Sequence, residues 1–203
     1  PDLRALVELH GHILSRDAVV GDQWLLSDQA TIQMIRQMDR SSVTLDSFVN
    51  GRIFYGAKTG LNEAFFIDGD ARQRLILEDS RSEELIKPLV VGTDVRRWTI
   101  VRKDRWMIFT HHGVDIGLYP AISQYLSQWK NQLKPKTNAN TSQGRKPGSY
   151  NWYEVQDNLA YRSLFDEAKI VFPVIAKESR FALDQAGMYL NDKTFFIATD
   201  DLF

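Results

Sequence analysis

The chain has 203 residues, 43% of them hydrophobic and 25% charged, with a formal net charge of −1. That length suits one large domain or two small ones, and the composition is that of a folded globular protein. The absence of cysteine excludes a disulfide framework and any thiolate metal site; no apolar run approaches the roughly 20 residues of a membrane helix, and the start PDLRALVELHGH lacks the basic and apolar regions of a signal peptide.

A protein of the reducing cytoplasm, with no membrane partner, is therefore expected. Beginning at Pro1 and stopping at Phe203 just past an apolar run, the chain reads as a piece of something longer.

In chain order, residues 2–10 place apolar side chains at 3, 6 and 7, the spacing of a short amphipathic helix. Residues 28–40 predict a second helix, capped by Ser27, with Ile32, Ile35 and Met38 on one face. A strand is predicted at 53–55, a turn at 56–62 and a strand at 64–67, closing as a hairpin or tight connection into the turn Asp68-Gly69-Asp70. Residues 80–86 predict a short helix capped by Ser80 and ended by Pro88. Strands are predicted at 98–101 and 106–110 around a polar turn. Residues 119–133 carry the strongest helical pattern, with Pro120 in the first turn and a stripe of Ile122, Leu126, Trp129 and Leu133. Residues 134–149, rich in Gly, Pro and Asn, predict a long exposed loop, mobile until it meets a ligand. Three strands follow at 169–176, 181–183 and 195–198, with turns at Gly187 and Asn191-Asp192. Helices and strands mix without βα alternation, so the expected class is α+β, with short curled sheets. One domain is expected, a helical lead-in over 1–50 and a mixed body over 51–203.

The near-zero net charge hides an uneven distribution. Residues 95–153 carry ten basic and two acidic side chains, while 62–94 carry four basic and eight acidic. A basic middle between acidic flanks is the pattern of a one-sided phosphate-binding surface, or of a solvated face that happens to be basic.

Four segments carry residue types that could recognise a ligand. In Gly56-Ala57-Lys58-Thr59-Gly60, two glycines four apart permit a tight turn, and Lys58 and Thr59 could hold a phosphate. The order differs from a P-loop, because Lys-Thr precedes the second glycine; a plain connecting turn is the alternative. In Gly92-Thr93-Asp94-Val95-Arg96-Arg97-Trp98, two arginines could clamp phosphate or read guanine edges. Asp94 would cap the turn and pair one arginine, and a half-buried Trp98 would steady both. No acid occurs from 116 to 153, where Lys130, Lys134, Lys136, Arg145 and Lys146 alternate with Asn138 and Asn140 before Tyr150. Lysines anchor phosphates, while arginine and asparagine read guanine and adenine edges. Finally, Lys177 and Arg180 sit in a turn after the apolar strand 169–175, which is expected to be central with Pro173 at a ladder-free position.

The patterns G-x-x-T-G-x-N-x-A-F (56–65), Gly92-x-Asp94-(apolar)-x-Arg97-(aromatic), and the K-I-V-F-P run (169–173) followed by F-A-L-D (181–184) and Asn191 together resemble one family. It is the TaqI-like target-recognition domain of adenine-N6 DNA methyltransferases and type IIG restriction-modification enzymes. The resemblance spreads over residues 24–201. It implies a domain that binds double-stranded DNA and packs against the catalytic methyltransferase domain of the same parent chain. It also implies S-adenosylmethionine as the parent's cofactor, but no cofactor here, since the N-P-P-(aromatic) motif and the Gly-rich cofactor loop do not occur in this sequence. The histidines (10, 12, 111 and 112) offer no metal-ligand spacing, and there is no G-x-S-x-G nucleophile elbow. No catalytic or metal residue is expected. A protein-interaction module without DNA is the alternative.

Overall fold

The computed structural model describes residues 2–11, 13–20, 24–137 and 143–198, and the chain divides into two compact units, 1–51 and 52–203.

The first unit is built from three capped helices. Helix α1 (Leu3–His10) starts at Asp2, whose carboxylate accepts the Arg4 N–H at 3.0 Å. Helix α2 (Gln29–Ser41) is capped by Asp28 rather than by Ser27. The carboxylate takes both the Thr31 N–H at 3.0 Å and the Thr31 hydroxyl at 2.7 Å, a pair that the serine cannot match. Those bonds, the Thr31 N–H first, hold the Asp28 carboxyl below its ordinary range. Thr44 caps α3 (Leu45–Phe48) in the same way. Of the predicted apolar face of α2, Ile32 is fully buried, Ile35 is half-buried and Met38 is exposed.

The second unit holds two four-stranded sheets and one small hairpin. Its elements are β1 (Ile53–Tyr55), α4 (Asn62–Phe65), β2 (Phe66–Ile67), α5 (Gly69–Glu78), α6 (Ser82–Leu85), β3 (Ile86–Val90), β4 (Val95–Arg96), β5 (Thr99–Ile100), β6 (Trp106–Ile108), α7 (Pro120–Ser127), α8 (Lys130–Leu133), β7 (Lys169–Pro173), β8 (Ala182–Asp184), β9 (Tyr189–Leu190) and β10 (Thr194–Ile197). One sheet runs β1-β10-β7-β8, all antiparallel; the other runs β2-β6-β3-β9, with β3 and β9 parallel. The class is α+β.

Strand β7 is central, as its two-faced apolar pattern requires, and Pro173 closes it opposite Thr194. Several expectations fail. Residues 64–67 are the end of a helical turn followed by two strand residues, and β1 and β2 lie in different sheets, so no hairpin joins them. Asp68 does not make a turn but caps α5, accepting the Ala71 N–H at 2.8 Å. Pro88 does not end a helix; the chain is already extended, and Pro88 sits in β3 opposite Trp106. The strand at 99–100 pairs back onto β4 rather than forward onto β6. The long helix breaks at Gln128 and Trp129 into α7 and α8, although Ile122, Leu126 and Leu133 all stay fully buried.

The core of this unit is mainly aliphatic, with an aromatic cluster that joins the two sheets. Phe165 packs at 5.2 Å from Phe196 of β10 and at 4.8 Å from Tyr189 of β9. A fully buried ring of this size contributes about 1.5–3 kcal/mol through burial alone. The first and last described strands of the unit, β1 and β10, are antiparallel neighbours: Ile53 faces Ile197, and the Ala198 N–H donates to the Arg52 carbonyl at 3.2 Å. A buried ion pair lies at the opposite edge of that sheet. Lys169 Nζ and Asp184 Oδ2 are 2.6 Å apart, and both side chains are sealed from water.

Candidate nucleic-acid interface

Three loops meet around a cavity of about 500 Å³ lined by Asn62, Thr93, Arg105, Ile175, Arg180, Asn191 and Lys193, among others. The segment 91–93, which leads into the β4–β5 hairpin, lines it. Val95 pairs with Ile100 and Arg96 with Thr99, so Arg97 and Trp98 form a two-residue turn. The Trp98 N–H donates to the Phe181 carbonyl at 2.8 Å, which fastens the hairpin beside Arg180.

Asp94 organises the base of the hairpin. It is 1% exposed, accepts the Val91 N–H at 3.1 Å, and pairs with Arg105 at 2.7 Å and Lys103 at 3.2 Å. The expected pairing with Arg96 or Arg97 does not occur. Arg96 instead donates to the carbonyls of Thr93 and Val95, and Arg97 lies over the Trp98 ring at 5.7 Å. Both arginines are exposed. Trp98 was expected to be half-buried, yet it is 72% exposed. Arg180 pairs with Glu178 at 3.0 Å on the surface, and Lys177 is exposed in the same loop.

The Gly56–Asn62 region is a structural turn more than a phosphate cradle. A Cβ at Gly56 would fall 2.2 Å from the Asn191 carbonyl oxygen, so the close approach of the two backbones requires glycine there. Gly60 has a φ of 78°, the left-handed region. Thr59 is 1% exposed; its hydroxyl donates to Asn62 Oδ1 at 2.7 Å and accepts the Leu61 N–H at 3.2 Å. Thr59 is thus withdrawn from any ligand, while Lys58 remains half-buried along a small adjoining cavity that shares Asn62 with the first.

Arg145 is the largest correction. Expected to read a base, it is 3% exposed, and its guanidinium is occupied by backbone carbonyls from three segments. It donates to Leu133 at 2.7 Å, Thr59 at 2.6 Å, Glu154 at 2.7 Å, Trp152 at 3.0 Å and Asn151 at 3.4 Å. Burial pulls it down to about 10, against the opposing pull of Tyr150 and Glu154, which leaves it charged at neutral pH. Tyr150, 9% exposed, lies beneath it with ring and guanidinium 4.6 Å apart and donates its hydroxyl to the Lys146 carbonyl. The backbone here is paired too: Lys136 N–H to Arg145 O and Arg145 N–H to Lys134 O, each at 3.0 Å. The described part of 134–149 is therefore anchored rather than loose. Lys134 and Lys146 are exposed on it, Lys136 is half-buried, and Lys130 is exposed with its ammonium 5.0 Å from the Trp152 ring. Asn138 and Asn140 lie outside the described residues.

Arg105, Lys193 and Asn62 line the cavity without having been singled out from the sequence. For Arg105 and Lys193 the only sequence signal was proximity to segments that carry the family resemblance, whereas Asn62 is a fixed position of the 56–65 pattern itself. Among the described residues no helix is long and apolar enough to cross a membrane, and no group of three or more His, Asp or Glu side chains could hold a metal.

Glu154 supports the same turn. Burial pushes its carboxyl up, but the N–H groups of Asn151 and Gly113 and the Asn151 amide outweigh that and hold it below its ordinary value. A depressed carboxylate contributes stability that is present above its unfolded pKa and lost as pH falls through the folded one. The urea midpoint is accordingly expected to drop below about pH 4. Glu154→Gln should lower the free energy of unfolding by about 1–3 kcal/mol at pH 7 and flatten that acid limb. An unchanged acid limb in the variant would locate the dependence elsewhere.

The fold is thus an α+β unit with cationic side chains gathered from the hairpin tip, the 174–181 loop and the 191–193 turn. No family model matches the chain. Among solved structures, that of the Type IIL restriction-modification enzyme MmeI in complex with DNA is similar to it, with a TM-score of 0.45 and 17% identity over 73% of this chain. The chain spans 19% of that protein's length.

Proposed function

We propose that the second unit is a DNA target-recognition domain, of the kind that serves adenine-specific DNA methyltransferases and type IIG restriction-modification enzymes. The observation that carries this reading is the hairpin tip: Arg96 at the end of β4 and Arg97 in the two-residue turn are exposed, while the buried Asp94 pairs with Arg105 and Lys103 behind them. A two-stranded ribbon of this width fits the major groove of B-DNA, where arginine reads guanine edges. The surface lysines Lys130, Lys134, Lys136, Lys146 and Lys177 and the side chains of Lys58 and Arg180 supply phosphate contacts. The G-x-x-T-G pattern resembles the family's, and its two glycines and buried threonine hold the turn against Asn191 and Arg145. In a parent enzyme, S-adenosylmethionine and the methyl transfer would belong to a catalytic domain that this unit positions on DNA.

The test is a titration of the chain with a labelled duplex at several salt concentrations. Seven phosphate contacts predict a slope of log K against log salt of about −6, or roughly a several-thousandfold loss for a fourfold rise in salt, and each contact not made lowers the slope by about one. Binding indifferent to salt, or none at low salt, sinks the proposal. A second reading, a protein-interaction module, is favoured for the first unit alone, where Leu3, Leu9, Trp24 and Phe48 expose apolar side chains.

A further inference from the structure

Trp98 combines two features that packing does not explain. It is 72% exposed, and its φ is 69°. The second position of a two-residue turn with positive φ ordinarily takes glycine or asparagine, because a Cβ there crowds the backbone; for a bulky side chain this is a genuine outlier. Strain of this kind persists where the surrounding structure enforces it, and it concentrates at functional sites. Here the enforcement is visible: the Val95–Ile100 and Arg96–Thr99 pairs close the hairpin, and the Trp98 N–H is held by the Phe181 carbonyl at 2.8 Å. That hydrogen bond places the Trp98 backbone beside Phe181, the residue next to Arg180. No aromatic ring stacks on it among the described residues; Arg97 lies over it at 5.7 Å.

We propose that Trp98 is a base-stacking residue, whose indole lies against the face of a nucleobase at a locally unstacked step of DNA. The proposal rests on the DNA-binding reading above and adds to it a contact without charge or hydrogen-bond code. An aromatic ring stacks on any base, so Trp98 would strengthen binding to every sequence where a base is easily unstacked. The flanking arginines supply the attraction to phosphate that brings the ring to the duplex. A partner protein would be expected to bury such a tryptophan within a wider apolar patch, but the neighbours at this tip are Arg96, Arg97 and Thr99, all exposed.

The variants Trp98→Gly and Trp98→Phe test this in the full 203-residue chain. Fluorescein-labelled duplexes of mixed sequence serve as probes, one fully paired and one carrying a single bulged nucleotide. Glycine accepts the positive φ, so Trp98→Gly should leave the melting temperature unchanged or raise it. Its affinity for the bulged duplex should fall about 5- to 150-fold, the equilibrium worth of one stacked base. The salt slope should stay the same, because no charge is lost, and the wild-type preference for the bulged over the paired duplex should shrink. Trp98→Phe should retain most of both. A lower melting temperature in Trp98→Gly would give the indole a structural role and overturn the proposal. A slope reduced by about one would show that it acts only by placing an arginine, which also overturns it. Equal affinity of wild type and Trp98→Gly for both duplexes overturns it while leaving DNA binding intact. Absence of any salt-dependent binding by the wild type would instead defeat the reading on which it rests.

Discussion

Arg145→Met should lower the free energy of unfolding by about 2–6 kcal/mol. The side chains are close in volume, so the change removes donors without opening a large void. Five backbone carbonyls now converge on the guanidinium, from Leu133, Thr59, Glu154, Trp152 and Asn151. At least two of them, on Leu133 and Thr59, would lose a charged donor in a buried place, at roughly 1–3 kcal/mol each. Arg145→Lys keeps the charge but not the planar fork, and one ammonium cannot reach carbonyls spread over three segments, so it should recover only part of the loss. Urea unfolding by linear extrapolation measures both. A loss under about 1 kcal/mol in Arg145→Met would mean that water takes over the carbonyls, and that Arg145 does not clasp the turn. Because the same residue joins the Lys134–Lys146 segment to the Lys58 turn, the variant should also lose affinity for DNA if those lysines bind as one surface.

The second large effect is expected at Lys169 and Asp184. Lys169 is fully buried, and its ammonium donates to Asp184 at 2.6 Å and to the carbonyls of Phe165 at 2.6 Å and Glu167 at 3.3 Å. Burial pulls the Lys169 ammonium below its ordinary value, and the bond to Asp184 opposes that. Removing one partner leaves the other charge uncompensated, so Lys169→Met should cost about 3–5 kcal/mol. Asp184 also accepts the Ala186 N–H on Oδ1 and the Met188 N–H on Oδ2, each at 2.9 Å, and asparagine, with a single carbonyl oxygen, keeps one of the two. The double change Lys169→Met with Asp184→Asn should therefore cost clearly less than the two single changes added together, which a double-mutant cycle by urea unfolding reads directly. Strict additivity would show that the pair is not coupled.

How far the fold could be read in advance depended on whether its signals were local. The strands β1, β7, β8 and β10, the Pro120 start of α7 and the α+β class all follow from apolar runs and turn residues within a few positions. Pairing was harder. Residues 99–100 and 106–108 look like two arms of one hairpin, but their partners are chosen by Asp94, which binds Arg105 and Lys103 and turns the chain away. Helix α5 hid because an Asp-Gly-Asp sequence announces a turn as readily as a helix start. The cap at Asp68 decides it.

The candidate interface was legible where charge was exposed and illegible where it was not. Arg96, Arg97, Lys134, Lys146 and Lys177 are on the surface, as a polar setting suggests. Arg145 sits in an equally polar stretch, yet its partners are main-chain carbonyls from distant segments, which leave no mark in a sequence. Thr59 failed for a related reason: its hydroxyl serves Asn62 and Leu61, a local bond that looks the same on paper as an open phosphate contact. The exposure of Trp98 contradicts the usual preference of tryptophan for burial, and only the positive φ at that turn singles it out.

The adjacency of β1 and β10 makes the second unit transplantable. Because Ile53 and Ile197 face each other across one antiparallel pair, the first and last described strands of the unit run about 5 Å apart. A host protein opened at a single surface loop could accept residues 52–198 without stretching either flank, and a short linker from 198 to 52 could close the unit into a circular permutant with new ends in another loop. Insertion leaves the hairpin, the 174–181 loop and the 191–193 turn in their native order, and permutation leaves each of them whole. The unit has the geometry of an exchangeable cassette.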